Sequence, residues 1–351
     1  MFRIDGDKMM KEKIIAFSQS IGINQIGFTN ADAFFDLKEK LEKQIELGFD
    51  SGFEESDLNL RTDPQAIMAD AKTLIAIAIA YPSKMKKTVK NSKESPRGVF
   101  GRASWGLDYH LVLKEKLEKL AAFIQSLEPT AKCLSMVDTG TLVDRAVAER
   151  SGIGWSGKNC AIISPTYGSY IYLGELITNL ELPIDTPIEN QCGNCQKCLD
   201  ACPTKALVAS GEINAGRCLA FLTQTKTEIP EQFIAKLGNR LYGCDTCQVV
   251  CPVNKGLNHC FHKELEPDPE LAMPKLLPLL TLTNRQFKEK FGKIAGAWRG
   301  RTPIQRNAIL GLAFFKTKQA LPILGELMDD PREVIRETAS YAIRKINEEN
   351  E

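Results

Sequence analysis

Eight of the eleven cysteines fall between Cys192 and Cys251. Thiols gathered this tightly in a long chain are suited to holding metal rather than to scattered disulfides. The run CGNCQKCLDACP has the spacing C-x2-C-x2-C-x3-C-P, which wraps three thiolates round one [4Fe-4S] cube and sends the fourth to another. A second run, CDTCQVVCP, is one ligand short of a full set, and Cys218, alone between the runs, can supply it. Four thiolates per cube then assign Cys192, Cys195, Cys198 and Cys251 to one cluster, and Cys202, Cys218, Cys244 and Cys247 to the other. Structural zinc is the competing reading, since zinc also takes four thiolates and favours C-x2-C. Three cysteines at successive x2 spacings before Cys-Pro speak for iron. Cys133, Cys160 and Cys260 lie outside the array and read as small core or surface residues. Two neighbouring clusters pass electrons one at a time, so the array needs an acceptor.

The stretch GIGWSGKN, residues 152–159, satisfies G-x-G-x-x-G and nearly satisfies G-x-x-x-x-G-K-[ST]. A dinucleotide fold needs a strand before such glycines and a helix after them. Here the helical pattern LVDRAVAER precedes and the strand-like CAIISP follows. A phosphate loop also wants Ser or Thr after the lysine, where this chain has Asn159. Two readings stay open. The glycines admit a large ligand whose polar rim meets Lys158 and Asn159, or they make a tight helix-to-strand turn with no ligand.

These residues must be positioned by a chain of 351 residues with 43% hydrophobic and 25% charged positions, enough for two or three cores. A helix is expected from Lys8 to Ile21, a strand in TLIAIAIAYP, a helix from Tyr109 to Leu127, and strands in CAIISP and SYIYLGELIT. The fold class is therefore α+β and multidomain: an N-terminal α/β domain over residues 1–185, a ferredoxin-like module over 186–260, and a helical domain over 261–351. LPIDTPIENQ serves as the linker into the module. In the tail, RNAILGLA and RETASYAI align at a spacing of 30, a HEAT-like repeat or an ordinary helical hairpin. Net charge is +1, but positive residues concentrate between Arg285 and Arg306, a local basic segment or a solvated face. The most apolar run, Leu74 to Ala80, is too short to cross a bilayer, and the N-terminus mixes charge into its apolar residues, so a cytoplasmic protein without a membrane partner is expected.

DTGTLVDRAVAERSGIGWSGKN, the cysteine array and the tail segment WRGRTPIQRNA occur in this order, and with them the chain resembles the epoxyqueuosine reductases from about Asp57 to Ala342. These are cobalamin-dependent enzymes that complete queuosine at the tRNA wobble position. The resemblance implies base-off cobalamin between the N-terminal domain and the ferredoxin module, touched by Arg61, Gly101, Arg102, Asp138, Ser156, Lys158, Asn159, Ile162 and Asp245. It implies Asp138 in VDTG as proton donor, with His110 as a further catalytic residue. Gln224 and Lys226 resemble residues that approach the anticodon, and the phosphate contacts a tRNA substrate requires are expected from the basic segment, at Arg285, Lys293, Arg299, Arg301 and Arg306.

Deoxygenating an epoxide needs two electrons and proton delivery, which suits a cluster wire, a cobalt centre and one acid. With no convincing flavin or nicotinamide motif, electrons are expected from an external low-potential donor of flavodoxin or ferredoxin type, and a chain carrying its own wire is expected to work as a monomer. A free Asp titrates near ~3.9, so a donor role requires the site to raise Asp138. Asp before Thr-Gly also forms turns and caps. His110 sits in DYHLVL, where Leu113 stands at the glycine of the D-x-H-x-x-G cobalt-ligand pattern. It reads as a polar helix-start residue at the pocket or a surface histidine, and not as a cobalt ligand. The competing functions are another corrinoid and iron-sulfur reductase, such as a reductive dehalogenase, and an electron carrier with no substrate of its own.

Overall fold

The alternation of Ile and Ala in TLIAIAIA decides how the N-terminal layers stack. In the computed structural model, which describes residues 2–138 and 140–348, this segment is strand β2 (Thr73–Ala80), between β1 (Gln25–Asn30) and β4 (Ile171–Thr178); β3 (Cys133–Met136) pairs with the far side of β4. Side chains alternate between faces of a strand. Ile75, Ile77 and Ile79 pack beneath helices α1 (Phe2–Ser20) and α2 (Tyr109–Leu127), against Ile14, Leu113, Leu117, Leu120 and Ile124. Leu74, Ala76, Ala78 and Ala80 face Val147 and Ala148 of helix α3 (Asp144–Arg150), with Ile153, Ile162 and Ile177. Each isoleucine buried on the first face contributes ~1.5–3 kcal/mol, while the alanines let the short α3 approach closely.

Every pair in this four-stranded sheet is antiparallel. The alternating helix and strand patterns suggest an α/β arrangement, but no β-helix-β unit returns a strand in parallel, so the layers are α+β. The helix expected from Tyr109 to Leu127 has those bounds, started by the Asp108 side chain accepting from the His110 backbone N–H. CAIISP supplies only the two-residue strand Ile162–Ile163, paired with Trp155–Ser156.

The cysteine segment is entered without regular structure over 181–191. Its short helices Lys197–Ala201 and Thr246–Val249 pack against each other. Its strand Arg240–Tyr242 pairs in parallel with Val99–Phe100. The tail is helical, with α4 (Asn284–Phe291), α5 (Arg301–Phe314) and α6 (Glu333–Asn347) as its main elements. RNAILGLA and RETASYAI lie on α5 and α6, which pack together. The tail's core is not its own: Phe100, Trp105 and Leu241 join Leu276, Phe291, Ile304, Ile309, Leu312 and Ile335 in one apolar cluster. Helix α5 is buried on all sides from Pro303 to Ala313, which makes it the inner helix of the tail. Among the described residues no helix is long and apolar enough to cross a membrane.

Candidate active site

Three element ends meet above the sheet: the start of α2, the loop after β3, and the start of α3. They enclose a cavity of about 390 Å3 lined by Glu54, Arg61, Tyr109, Asp138, Asp144, Arg145 and Tyr242. Tyr242 also borders a second cavity of about 330 Å3, formed by Gly101, Arg102, Gly243, Cys244 and Asp245. The first cavity thus adjoins the cysteine module through one tyrosine.

Asp138 has a backbone φ of 47°, a left-handed conformation that non-glycine residues adopt only where the surroundings hold it. Its backbone N–H donates to Asp144 Oδ2 at 2.8 Å. Its carboxylate meets His110 Nε2 at 3.2 Å and accepts from the Tyr109 hydroxyl. On the other side, His110 Nδ1 meets Asp108 Oδ1 at 2.7 Å. Burial alone would lower the imidazole, but the hydrogen bonds to Asp108 and Asp138 outweigh it and push it up to about 9. The His110 hydrogen bond, opposed by burial and aided by Tyr109, holds Asp138 below the usual carboxylate range. This corrects the expectation that the site raises Asp138: at neutral pH the proton of this pair sits on the imidazole, with the carboxylate as its partner.

Behind the pair, Glu175 stands on β4 in an otherwise apolar stripe with Ile171, Leu173 and Ile177. It is 1% exposed, and burial, then the neighbouring Asp144, push its carboxyl well above its ordinary value. Asp144 is raised to about 6, chiefly by burial. Neither acid figures among the candidates drawn from the sequence, nor do Tyr109 and Tyr242. The one signal the sequence offers is a single acid inside YLGELIT, a strand buried on both faces.

The eight array cysteines are reduced and converge as two sets. Cys251 lies beside Cys192 and Cys195, and Cys198 beside Cys192 and Cys251. Cys218 lies beside Cys244 and Cys202. Cys247 neighbours Cys244, Cys218 and Cys202, and also Cys198 of the other set. Burial and mutual repulsion push Cys198, Cys218, Cys247 and Cys251 up. Burial also opposes ionisation of Cys202, but backbone N–H groups of Leu207, Ala206 and Thr204 outweigh it and bring that thiol down. Such N–H···S contacts tune cluster potentials.

The glycines of GIGWSGKN answer to the protein itself. A Cβ on Gly152 would lie 2.7 Å from the Thr186 carbonyl oxygen, one on Gly154 would lie 2.3 Å from that of Ile163, and one on Gly157 would lie 2.5 Å from Ile163 Cδ1. The motif is therefore a helix-to-hairpin turn whose glycines are required by backbone and side-chain crowding. Ser156 is tied to Glu149 and Lys158 Nζ to the Gly193 carbonyl, so the turn braces the first cysteine loop. The side chain of Ile162 belongs to the apolar core, which removes it as a side-chain contact for a ligand. Asn159 keeps a buried Nδ2 without an acceptor among the described residues, a donor available to a ligand. Arg61 and Asp138 line the first cavity, and Gly101, Arg102 and Asp245 the second. The Arg102 guanidinium is committed to Asp245 at 2.8 Å and to the Ser83 carbonyl.

Of the residues expected on an RNA face, Arg285, Lys293 and Lys226 are exposed. Gln224 and Arg299 join an aromatic patch. Trp298 Nε1 donates to Gln224 Oε1 at 2.8 Å, and the Arg299 guanidinium lies 4.8 Å from the Phe53 ring centre and 4.9 Å from that of Trp298. Arg301 is partly buried, donating to the Leu282 carbonyl. Arg306 is corrected outright. It is 1% exposed, and its guanidinium donates to the carbonyls of Leu222, Thr225 and Thr227 and to Asn307. It braces the interior and cannot reach a phosphate.

Comparison with known proteins adds to this geometry. Residues 61–139 match the model described as epoxyqueuosine reductase QueG, DUF1730, and residues 191–254 match a 4Fe-4S double cluster binding domain. The epoxyqueuosine reductase of Bacillus subtilis is 57% identical over 340 residues, 97% of this chain and 88% of the relative. That of Bacillus anthracis is 55% identical over 340 residues, covering 97% and 90%. A crystal structure of epoxyqueuosine reductase with an epoxyqueuosine-modified tRNA-Tyr stem loop superposes with a TM-score of 0.96 at 57% identity, covering 97% of this chain and 91% of that one. A Bacillus subtilis structure with its aspartate-bearing catalytic loop swung out of the active site gives 0.95 at 56% identity, with the same coverage.

Proposed function

The chain belongs to the epoxyqueuosine reductase family of oxidoreductases, and on that premise we propose that it reduces epoxyqueuosine to queuosine at the wobble position of tRNA. The observation that carries this reading is the adjacency of an acid-and-imidazole cavity to an eight-thiol module through Tyr242. The reaction consumes two electrons and two protons: the epoxide oxygen leaves as water and an alkene remains. The eight cysteines would hold the two [4Fe-4S] clusters, fed by an external low-potential donor.

Cobalamin, bound base-off against the two cavities, would supply a cobalt centre able to act below Co(II). Arg61 and Asp138, which line the first cavity, and Gly101, which lines the second, would meet it, and the unpartnered amide of Asn159 suits a ligand with polar side groups. The protein's own part is proton delivery. The Asp138–His110 pair carries one proton at the cavity, with Asp108 fixing the imidazole and Tyr109 the carboxylate. Asp138 faces the oxygen that departs and passes it the proton drawn from His110.

Substrate RNA is held by the aromatic patch of Phe53, Trp298 and Arg299, which offers stacking faces, and by Lys226, Arg285 and Lys293, which meet phosphates. The HEAT-like reading of α5 and α6 makes the tail a scaffold for this face. The test is anaerobic purification, reconstitution with iron, sulfide and cobalamin, and mass analysis of an epoxyqueuosine-modified stem loop. Conversion with loss of one oxygen atom supports the reading. A protein loaded with clusters and cobalamin that leaves the modified stem loop unchanged refutes it.

A further inference from the structure

Glu175 breaks the pattern of its own strand. Its neighbours on that face, Ile171, Leu173 and Ile177, pack against α3, yet it brings a carboxyl into the same layer at 1% exposure. Its carboxyl lies against that of Asp144, close enough for the two to share a proton. Among the described residues no Lys, Arg or His answers it, and neither of its oxygens receives a hydrogen bond from a standing donor. Two carboxyl groups in contact without a cation must share a proton. Asp144 opens α3 and borders the cavity, where the helix terminus and the Asp138 backbone N–H favour its charge. Glu175, in the apolar layer, keeps the proton. The chain of contacts then runs from the Glu175 hydroxyl to the Asp144 carboxylate, which accepts the Asp138 backbone N–H at 2.8 Å.

We propose that Glu175, held neutral, and Asp144, held ionised, form a latch that fixes the loop of Asp138 in its left-handed, inward conformation. They are positioning residues that act through Asp138; neither needs to touch substrate. The need for a latch follows from the φ of 47° at a non-glycine residue, which persists only when neighbouring contacts enforce it. The other groups facing this site are Tyr109 and His110 from α2, Glu54 and Arg61, Arg145 from α3, and Tyr242 from the cysteine module. None of them is bonded to Glu175.

The role of Asp138 in turnover rests on the activity proposed above, so the test includes a readout independent of it. Histidine titration by NMR in the cluster-loaded protein reports whether Asp138 still reaches His110, whose signal is identified by its loss in His110→Gln. Glu175→Leu restores the apolar stripe and is expected to fold with an unchanged or higher Tm. Without its donor, the Asp144 carboxylate turns to water and frees the loop. In Glu175→Leu and in Asp144→Ala, His110 should titrate below the value of about 9 set by its partners, and turnover should fall about 100-fold, the order expected of a misplaced catalytic group. Glu175→Gln keeps a donor for Asp144 and should retain both the His110 titration and turnover near wild type. The latch is overturned if Glu175→Leu leaves the His110 titration unmoved, or if Glu175→Gln is as impaired as Glu175→Leu, which would make acidity rather than hydrogen bonding the essential property. Wild-type protein inactive on the stem loop would remove the activity reading while the titrations still decide the latch.

Discussion

In the cysteine module, buried thiols crowd one another; in the cavity over the sheet, Asp138 and Asp144 are each answered by a partner. Cys198, Cys218, Cys247 and Cys251 are all pushed up by burial and by one another. Iron would supply the opposing charge that favours their ionised form, so metal binding and thiol deprotonation are coupled. Asp138 instead has His110, and Asp144 has the proton on Glu175.

Single substitutions can break this contrast. The largest effect is expected from Cys247→Ser, which removes a ligand buried among its set. Iron should fall to roughly half of the eight atoms that two cubes require, with turnover abolished, as read by metal analysis and visible absorbance. Asp138→Asn should keep the full iron content and visible spectrum yet lose about 100- to 10,000-fold in turnover, the range for a general acid. Wild-type turnover in Asp138→Asn would remove the cavity's role.

A smaller effect concerns pH. His110 is raised from 6.5 to about 9, so its pairing contributes stability that is fully present below 6.5 and lost as pH rises through 9. Asp138 lies below its ordinary 3.8, so its contribution is present above 3.8 and lost on acidification. The difference in Tm between wild type and His110→Gln should therefore be greatest between 3.8 and 6.5 and vanish above 9. A difference that grows with alkalinity would reverse the assignment. The smallest effect is expected at the exposed rim. Arg285→Ala with Lys293→Ala should weaken stem-loop binding and flatten the slope of log affinity against log salt by about 1 for each phosphate no longer neutralised, leaving iron and Tm unchanged.

The same contrast explains what the sequence discloses. Cluster ligands are legible because a cube is wrapped by a short segment, so spacing alone encodes the cysteine sets. The cavity is assembled across long separations: His110 meets Asp138 28 residues away, and nothing in VDTG announces that partner. Hence Asp138 invites the expectation of a raised carboxyl, when an imidazolium holds it low. Arg306 reads as basic surface because it closes a run of positive residues that begins at Arg285, and only the packing of α5 inside the tail turns it inward. The glycines of GIGWSGKN imitate a nucleotide loop because crowding by one's own backbone and approach by a ligand place the same demand on Cβ. Helices and strands with strong periodicity, such as Tyr109–Leu127 and Thr73–Ala80, lie where their patterns put them; the antiparallel order of the sheet depends on connections that periodicity does not describe.

Arg306 and Asn307 hold the carbonyls of Leu222, Thr223, Thr225 and Leu241, the stretches that follow Cys218 and precede Cys244. During synthesis on the ribosome these two braces emerge after every cysteine of the array. The stretches beside Cys218 and Cys244 therefore acquire these hydrogen bonds only once the inner helix of the tail has been made.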